Sequence, residues 1–225
     1  MRRLHRVALL AASTTLLGLS AMSGVAASEQ CAVTVRPAAT PPAHNAHPAS
    51  PTAHNAEPSP EREYIDMMIP HHVSIIALAE TALPRLNDDR LRDMAAAIVA
   101  TQEAEIAELR EMRAARFDSP DPVPMSGETR DAGHDMAATQ PDLAQLMDGA
   151  ALIDAYCQAA QPDLAFASLT LAHHQMAVDS SRDLLETTQD AELRDLARRV
   201  IVAQEAEIAT LRQFLAEHGV ASPTP

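Results

Sequence analysis

Gln102-Glu103-Ala104-Glu105-Ile106 returns as Gln204-Glu205-Ala206-Glu207-Ile208, an offset of 102 residues, and that return decides the fold. Without a gap, the same offset carries His71-His72 onto His173-His174 and Leu91-Arg92-Asp93 onto Leu193-Arg194-Asp195. Upstream of the first copy, Tyr64, Met67, Met68, His71, Ile75, Leu78 and Ala82 recur at three- and four-residue steps, the spacing of one helix face. Leu91, Met94, Ile98, Gln102, Glu105, Leu109 and Met112 form a second such stripe. Each copy therefore reads as a helical hairpin with an apolar face it cannot bury alone. Two hairpins packed together bury both, so the expected fold is all-α, a four-helix bundle with approximate twofold symmetry.

Working outward, the repeats span 61–116 and 142–217, joined by a connection over 117–141 that carries Pro120, Pro122, Pro124, Gly127 and Gly133. Pro70 lacks the amide that would bond the Asp66 carbonyl, which predicts a kink or a fresh helix start before the histidines. Asp88 is placed to accept from the exposed amides of the second helix. The third periodic stretch begins near Asp142, is disturbed at Pro162 and resumes from Asp163 to about Thr188. The fourth runs from Asp190 to about His218, with Gly219 as its C-terminal stop and a tail over 218–225.

Of the 225 residues, 47% are apolar but only 2% aromatic, and Trp is absent, so Ala, Leu, Ile, Val and Met must fill a helical core. None of the six glycines sits in a phosphate-cradling pattern. The net charge of −14 argues against a nucleic-acid partner. Residues 1–27 read as a secretory signal: Arg2, Arg3 and Arg6, then an apolar run, then Val25-Ala26-Ala27. The alternative is an uncleaved anchor; no later segment is long and apolar enough to span a bilayer, so no stable membrane insertion is expected after cleavage. Residues 28–60 form a Pro/Ala/His-rich linker that repeats Ala-His-Asn-Ala. Its His44, His47 and His54 either catch metal weakly or belong to a plain spacer. Cys31 and Cys157 in an exported chain suggest one disulfide, two unrelated thiols being the alternative.

Met67 and Met68 stand three or four residues before His71 and His72, crowding two thioethers and two imidazoles onto one turn. Thioether sulfur favours Cu(I), and imidazole suits copper and other borderline transition metals. The second copy keeps His173 and His174, adds Met176, and has Ser168, Leu169 and Thr170 where the first has Asp66, Met67 and Met68. Gln102, Glu105, Gln204 and Glu207 interrupt otherwise apolar stripes, either to orient or join the metal ligands or to pair with Arg at the rim. Met125, His134 and Met136 in the connection are further soft donors or ordinary linker residues.

Tyr64-Ile65-Asp66-Met67-Met68-Ile69-Pro70-His71-His72, followed by Ala100-Thr101-Gln102-Glu103-Ala104-Glu105-Ile106, closely resembles the bacterial family known as domain of unknown function 305. The resemblance covers 61–217 and implies a ferritin-like bundle, usually exported, some of whose members bind copper or confer copper resistance through Met and His. Asp66, Met67, Met68, His71, His72, Gln102 and Glu105 match the family signature, whereas Ser168, Thr170 and Ala172 depart from it in the second copy.

The function expected is thus an exported bundle that sequesters or transfers a copper ion, or another soft or borderline metal. Met67, Met68, His71, His72, His173, His174 and Met176 are the ligands; Asp66, Gln102, Glu105, Gln204 and Glu207 support or replace them. Two other readings stand beside it: a structural or protein-interaction bundle whose histidines set helix register, and a ferritin-like di-metal oxidase. The oxidase suffers from the absence of any Glu-x-x-His pair in the chain, and enzyme chemistry is not the expectation.

Overall fold

The computed structural model describes residue 31 and residues 59–123 and 146–220. The signal, nearly all of the linker, Met125, His134, Met136 and the end of the tail lie outside the described residues. Five α-helices are present there and no strand: α1 (Pro60–Ala82), α2 (Asp89–Phe117), α3 (Gly149–Gln158), α4 (Pro162–Thr187) and α5 (Ala191–Glu217). The expected count of four is corrected by α3. Pro162 does not disturb a helix; it begins one, sitting in the first turn of α4 where its missing amide costs nothing. Pro60 does the same for α1, at the equivalent repeat position.

Neighbouring pairs α1–α2 and α4–α5 are hairpins, and they meet along α1 and α4, with α3 packed on both of those helices. Asp88 and Asp190, 102 residues apart, cap α2 and α5 by accepting from first-turn amides. Arg92 and Arg194 reach back to the Leu86 and Thr188 carbonyls at 2.8 Å, equivalent positions again, tying each hairpin turn to the helix that follows. The recurring Leu-Arg-Asp thus serves the turns. Gly219 ends α5 with φ of 73°, a conformation that suits glycine. Within α1 the helix runs on through Pro70 and no new helix starts there.

Two apolar clusters make the core. One holds Ile75, Leu78, Leu91, Ile98, Phe166, Leu171, Leu211 and Phe214 among others; the second holds Tyr64, Ile65, Ile69, Leu109, Leu184, Leu193 and Val200. Along each long helix, a set of buried polar residues falls between the stretches that feed these clusters: His71 and His72 on α1, Gln102 and Glu105 on α2, His173 and His174 on α4, Gln204 on α5. The bundle therefore has a polar waist. Cys31 and Cys157 are joined, which fastens the start of the linker to the last turn of α3, beside Arg85.

Candidate functional site

All four histidines of the repeat are fully buried, and they form a single row across the waist. Ring centroids are 5.9 Å apart from His72 to His71, 3.6 Å from His71 to His173, and 6.1 Å from His173 to His174. Each end of the row meets a glutamate of the partner helix in its own hairpin. His72 Nε2 lies 2.8 Å from Glu105 Oε2, and His174 Nε2 lies 2.8 Å from Glu207 Oε2. Two hairpins of the same sequence pattern, meeting α1 against α4, place the two inner histidines face to face and the two outer ones against carboxylates.

Neither outer contact is a formed hydrogen bond: both Nε2 atoms are without a hydrogen-bond partner. Nitrogen and oxygen border the same small volume without satisfying one another. Buried polar atoms left in this state are rare and call for something else to satisfy them. Gln102 Oε1, Thr170 Oγ1 and both polar atoms of Gln204 are likewise buried without a partner.

The inner pair is held differently. His71 Nε2 is 3.1 Å from the His173 carbonyl, which only accepts, so Nε2 carries the proton and donates. His173 Nε2 is 2.9 Å from the Ser74 hydroxyl. The Nδ1 atoms of both rings have no partner. Burial holds both rings well below the ordinary imidazole pKa, and the neighbouring histidines add to the effect. Uncharged, with free Nδ1 lone pairs, they are in the form in which imidazole binds metals.

Not every anticipated residue joins the row. Asp66 is held by Arg113, with Nε at 2.5 Å from Oδ1 and Nη2 at 3.3 Å from Oδ2. Arg62 approaches the same carboxylate at 3.5 Å. Asp66 is therefore engaged in a buried ion pair. Met67 and Met68 belong to one apolar cluster, whereas Met176 packs against the other. Glu105 and Glu207 each meet a histidine of their own hairpin, and the Glu105 charge is also felt by Arg199 on α5. Among the described residues, no three His, Cys, Asp or Glu side chains are grouped as a ready-made metal site. Nor is any helix there long and apolar enough to cross a membrane.

Sequence reasoning missed Ser74 and Arg113, and read Tyr64 only as a member of the apolar face. Tyr64 shares a 2.9 Å hydrogen bond with Ser181 across the two hairpins, and burial pushes its hydroxyl pKa well above the ordinary value.

Comparison with known proteins places this waist in context. The family model described as "Domain of unknown function (DUF305)" matches residues 61–215. Among solved structures, the Cu(II)-bound form of CopM is 30% identical, with a TM-score of 0.58, covering 70% of this chain and 96% of that one. The Cu(I)-bound form of CopM is 29% identical with a TM-score of 0.56 over the same shares. A DUF305 fragment from Deinococcus radiodurans is 26% identical with a TM-score of 0.54, covering 71% of this chain and 97% of that one. None of the curated proteins matches the chain.

Proposed function

Because the chain belongs to the DUF305 family, we propose that it is an exported copper-binding bundle whose donors are the waist histidines and their glutamates. The observation that carries this reading is that the buried Nε2 atoms of His72 and His174 have no hydrogen-bond partner although each lies 2.8 Å from a carboxylate oxygen, of Glu105 and of the partly exposed Glu207. A cation between nitrogen and carboxylate oxygen would satisfy both atoms and offset the cost of burying them. The similarity to CopM, solved with Cu(I) and with Cu(II), points to copper among the metals such donors accept.

Within the site, Glu105 and Glu207 supply negative charge and oxygen donors at the two ends. His71 and His173 supply neutral nitrogens in the middle, and the apolar clusters on either side exclude water. Met67 and Met68 in one apolar cluster and Met176 against the other, each within four residues of a waist histidine in sequence, are the thioethers available to a Cu(I) ion once side chains turn toward it. Copper is cargo here, held for sequestration or passed on. The segment over 1–27 and the Cys31–Cys157 link agree with a chain that works outside the cytoplasm. The constant 102-residue offset supports a ferritin-like four-helix bundle that arose by duplication, with α3 as an addition between the halves.

Titration of the purified mature protein with Cu(I) against a competing chelator tests the proposal. Wild type is expected to compete, and His72→Gln/His174→Gln to lose at least tenfold in affinity while its helical circular dichroism is kept. Competition unchanged by that double variant removes the waist as the site. A second reading, a bundle whose polar waist only sets helix register, draws on the absence of any grouped trio of His, Cys, Asp or Glu among the described residues. It predicts no binding of Cu(I), Cu(II) or Zn(II). Oxygen uptake on adding Fe(II) would instead favour di-metal oxidase chemistry.

A further inference from the structure

Ser74 is buried on α1, one turn after His71, and its hydroxyl meets three groups at once. It lies 2.7 Å from the His71 carbonyl, 3.0 Å from the Leu146 carbonyl and 2.9 Å from His173 Nε2. A hydroxyl has one proton, and both carbonyls can only accept. Were that proton given to His173, the serine oxygen would face two carbonyl oxygens with no hydrogen between them. Sharing the proton with the carbonyls instead leaves a lone pair on Oγ to accept from His173. The ring then carries its proton on Nε2 and keeps a bare, buried Nδ1, which has no partner.

Leu146 lies on the chain leading into α3, so this contact comes from outside the two hairpins. The start of α3 lies directly against α1 here: a Cβ at residue 149 would stand 3.4 Å from the Ser74 Cα and 3.7 Å from the Ala77 Cβ, in ordinary van der Waals contact. The far end of α3 is fastened through Cys157 to Cys31. Position 176, the repeat equivalent of Ser74, is a methionine, so His71 has no such hydroxyl and uses the His173 backbone carbonyl.

We infer that Ser74 is a positioning residue: held by the Leu146 carbonyl, it fixes His173 in the Nε2–H tautomer and so keeps the Nδ1 lone pair available in the waist. Leu146, just ahead of α3, is thereby part of the site's support. In its consequence for metal the inference rests on the copper reading; in its consequence for the tautomer it does not. Which nitrogen carries the proton decides which one can bind an ion, and partners at this remove from a metal are commonly worth 10–100-fold in affinity.

The test uses the full mature chain with 15N-labelled histidine, metal-free, near pH 7.5. Long-range 1H–15N correlation is expected to show His173 with a protonated Nε2 and an unprotonated Nδ1. In Ser74→Ala the two nitrogen shifts should move toward each other as both tautomers populate, and Ser74→Thr should restore the wild-type pattern. The same samples titrated with Cu(I) should show a loss of about tenfold in Ser74→Ala, recovered in Ser74→Thr. A wild-type His173 protonated on Nδ1, or a Ser74→Ala spectrum with unchanged His173 shifts, overturns the inference. If the tautomer responds as stated but wild type binds no copper, the positioning role stands and the copper reading falls.

Discussion

The imidazoles of His71 and His173 stack with centroids 3.6 Å apart and planes inclined by 33°, the closest contact in the row. Two rings so placed, fully buried and flanked by His72 and His174, cannot both carry charge. Both are held well below the ordinary value near 6.5. The unfolded chain therefore binds protons that the folded chain refuses, over the window below about pH 6.5. Stability is complete above that value and is lost as pH falls through it, by about 1.4 kcal/mol per pH unit for each proton taken up. Urea denaturation of the metal-free protein between pH 7.5 and 5 is expected to show the midpoint falling. His71→Leu/His173→Leu should flatten that dependence, with Glu105 and Glu207 still facing the outer histidines. A midpoint that holds steady across the range in wild type contradicts the packing described.

Glu105 and Glu207 end the row in equivalent positions, but Glu105 is the more deeply buried, its side chain 11% exposed against 22%. A carboxylate with less water around it acts more strongly on a cation. Glu105→Gln is therefore expected to weaken Cu(I) or Cu(II) binding more than Glu207→Gln, with losses on the order of tenfold or more. Chelator competition on the two single variants measures this. Equal and negligible losses would separate the carboxylates from the metal.

Much of the molecule was legible because duplication repeats its own evidence. Asp88 and Asp190 and the two His-His pairs announce helix starts and an internal seam, whereas Pro162 read as an interruption although it stands at the same offset from Pro60 and begins a helix as Pro60 does. What the repeat could not reveal is what it does not contain. Ser74 corresponds to Met176 and Arg113 to Leu215, so neither stood out. The helix α3 has no counterpart, and its brevity let it merge with the stretch beyond Pro162. Asp66 stood out as metal-supporting because it adjoins two methionines and two histidines in sequence. Its engagement with Arg113 across the hairpin is what that adjacency could not show.

The Cys31–Cys157 link spans 126 residues of sequence and fastens α3, which lies on both α1 and α4. Closing a loop of that size restrains the unfolded chain by about 4–5 kcal/mol in the chain-entropy treatment. Cys31→Ser/Cys157→Ser should fold, because both apolar clusters draw mainly on the long helices, but with a clearly lower denaturation midpoint. Hydrogen exchange should show the added opening concentrated in α3 and around Leu146. Uniform destabilisation across α2 and α5 would argue that α3 is not a separately tethered element.

Asp66 and Arg113 pose the sharpest stability test, since the second hairpin supplies its own control. The Arg113 guanidinium is 2% exposed and binds Asp66 through two nitrogens, while its Nη1 donates to the Ser119 carbonyl at 2.8 Å beyond the end of α2. Removing only the arginine leaves a buried carboxylate with Arg62 at its edge, a loss of about 3–5 kcal/mol for a broken buried pair. At the equivalent places the second hairpin has Ser168 and Leu215, and Leu215 is buried in the apolar core. Arg113→Leu alone should therefore be severely destabilised, whereas Asp66→Ser/Arg113→Leu should recover most of the loss, because buried pairs exchange for apolar packing at little net cost. Chemical denaturation of the two variants and wild type, with Asp66→Ser to complete the double-mutant cycle, yields the coupling. Additive losses in the double variant would mean that the two side chains act independently, against the 2.5 Å contact between them.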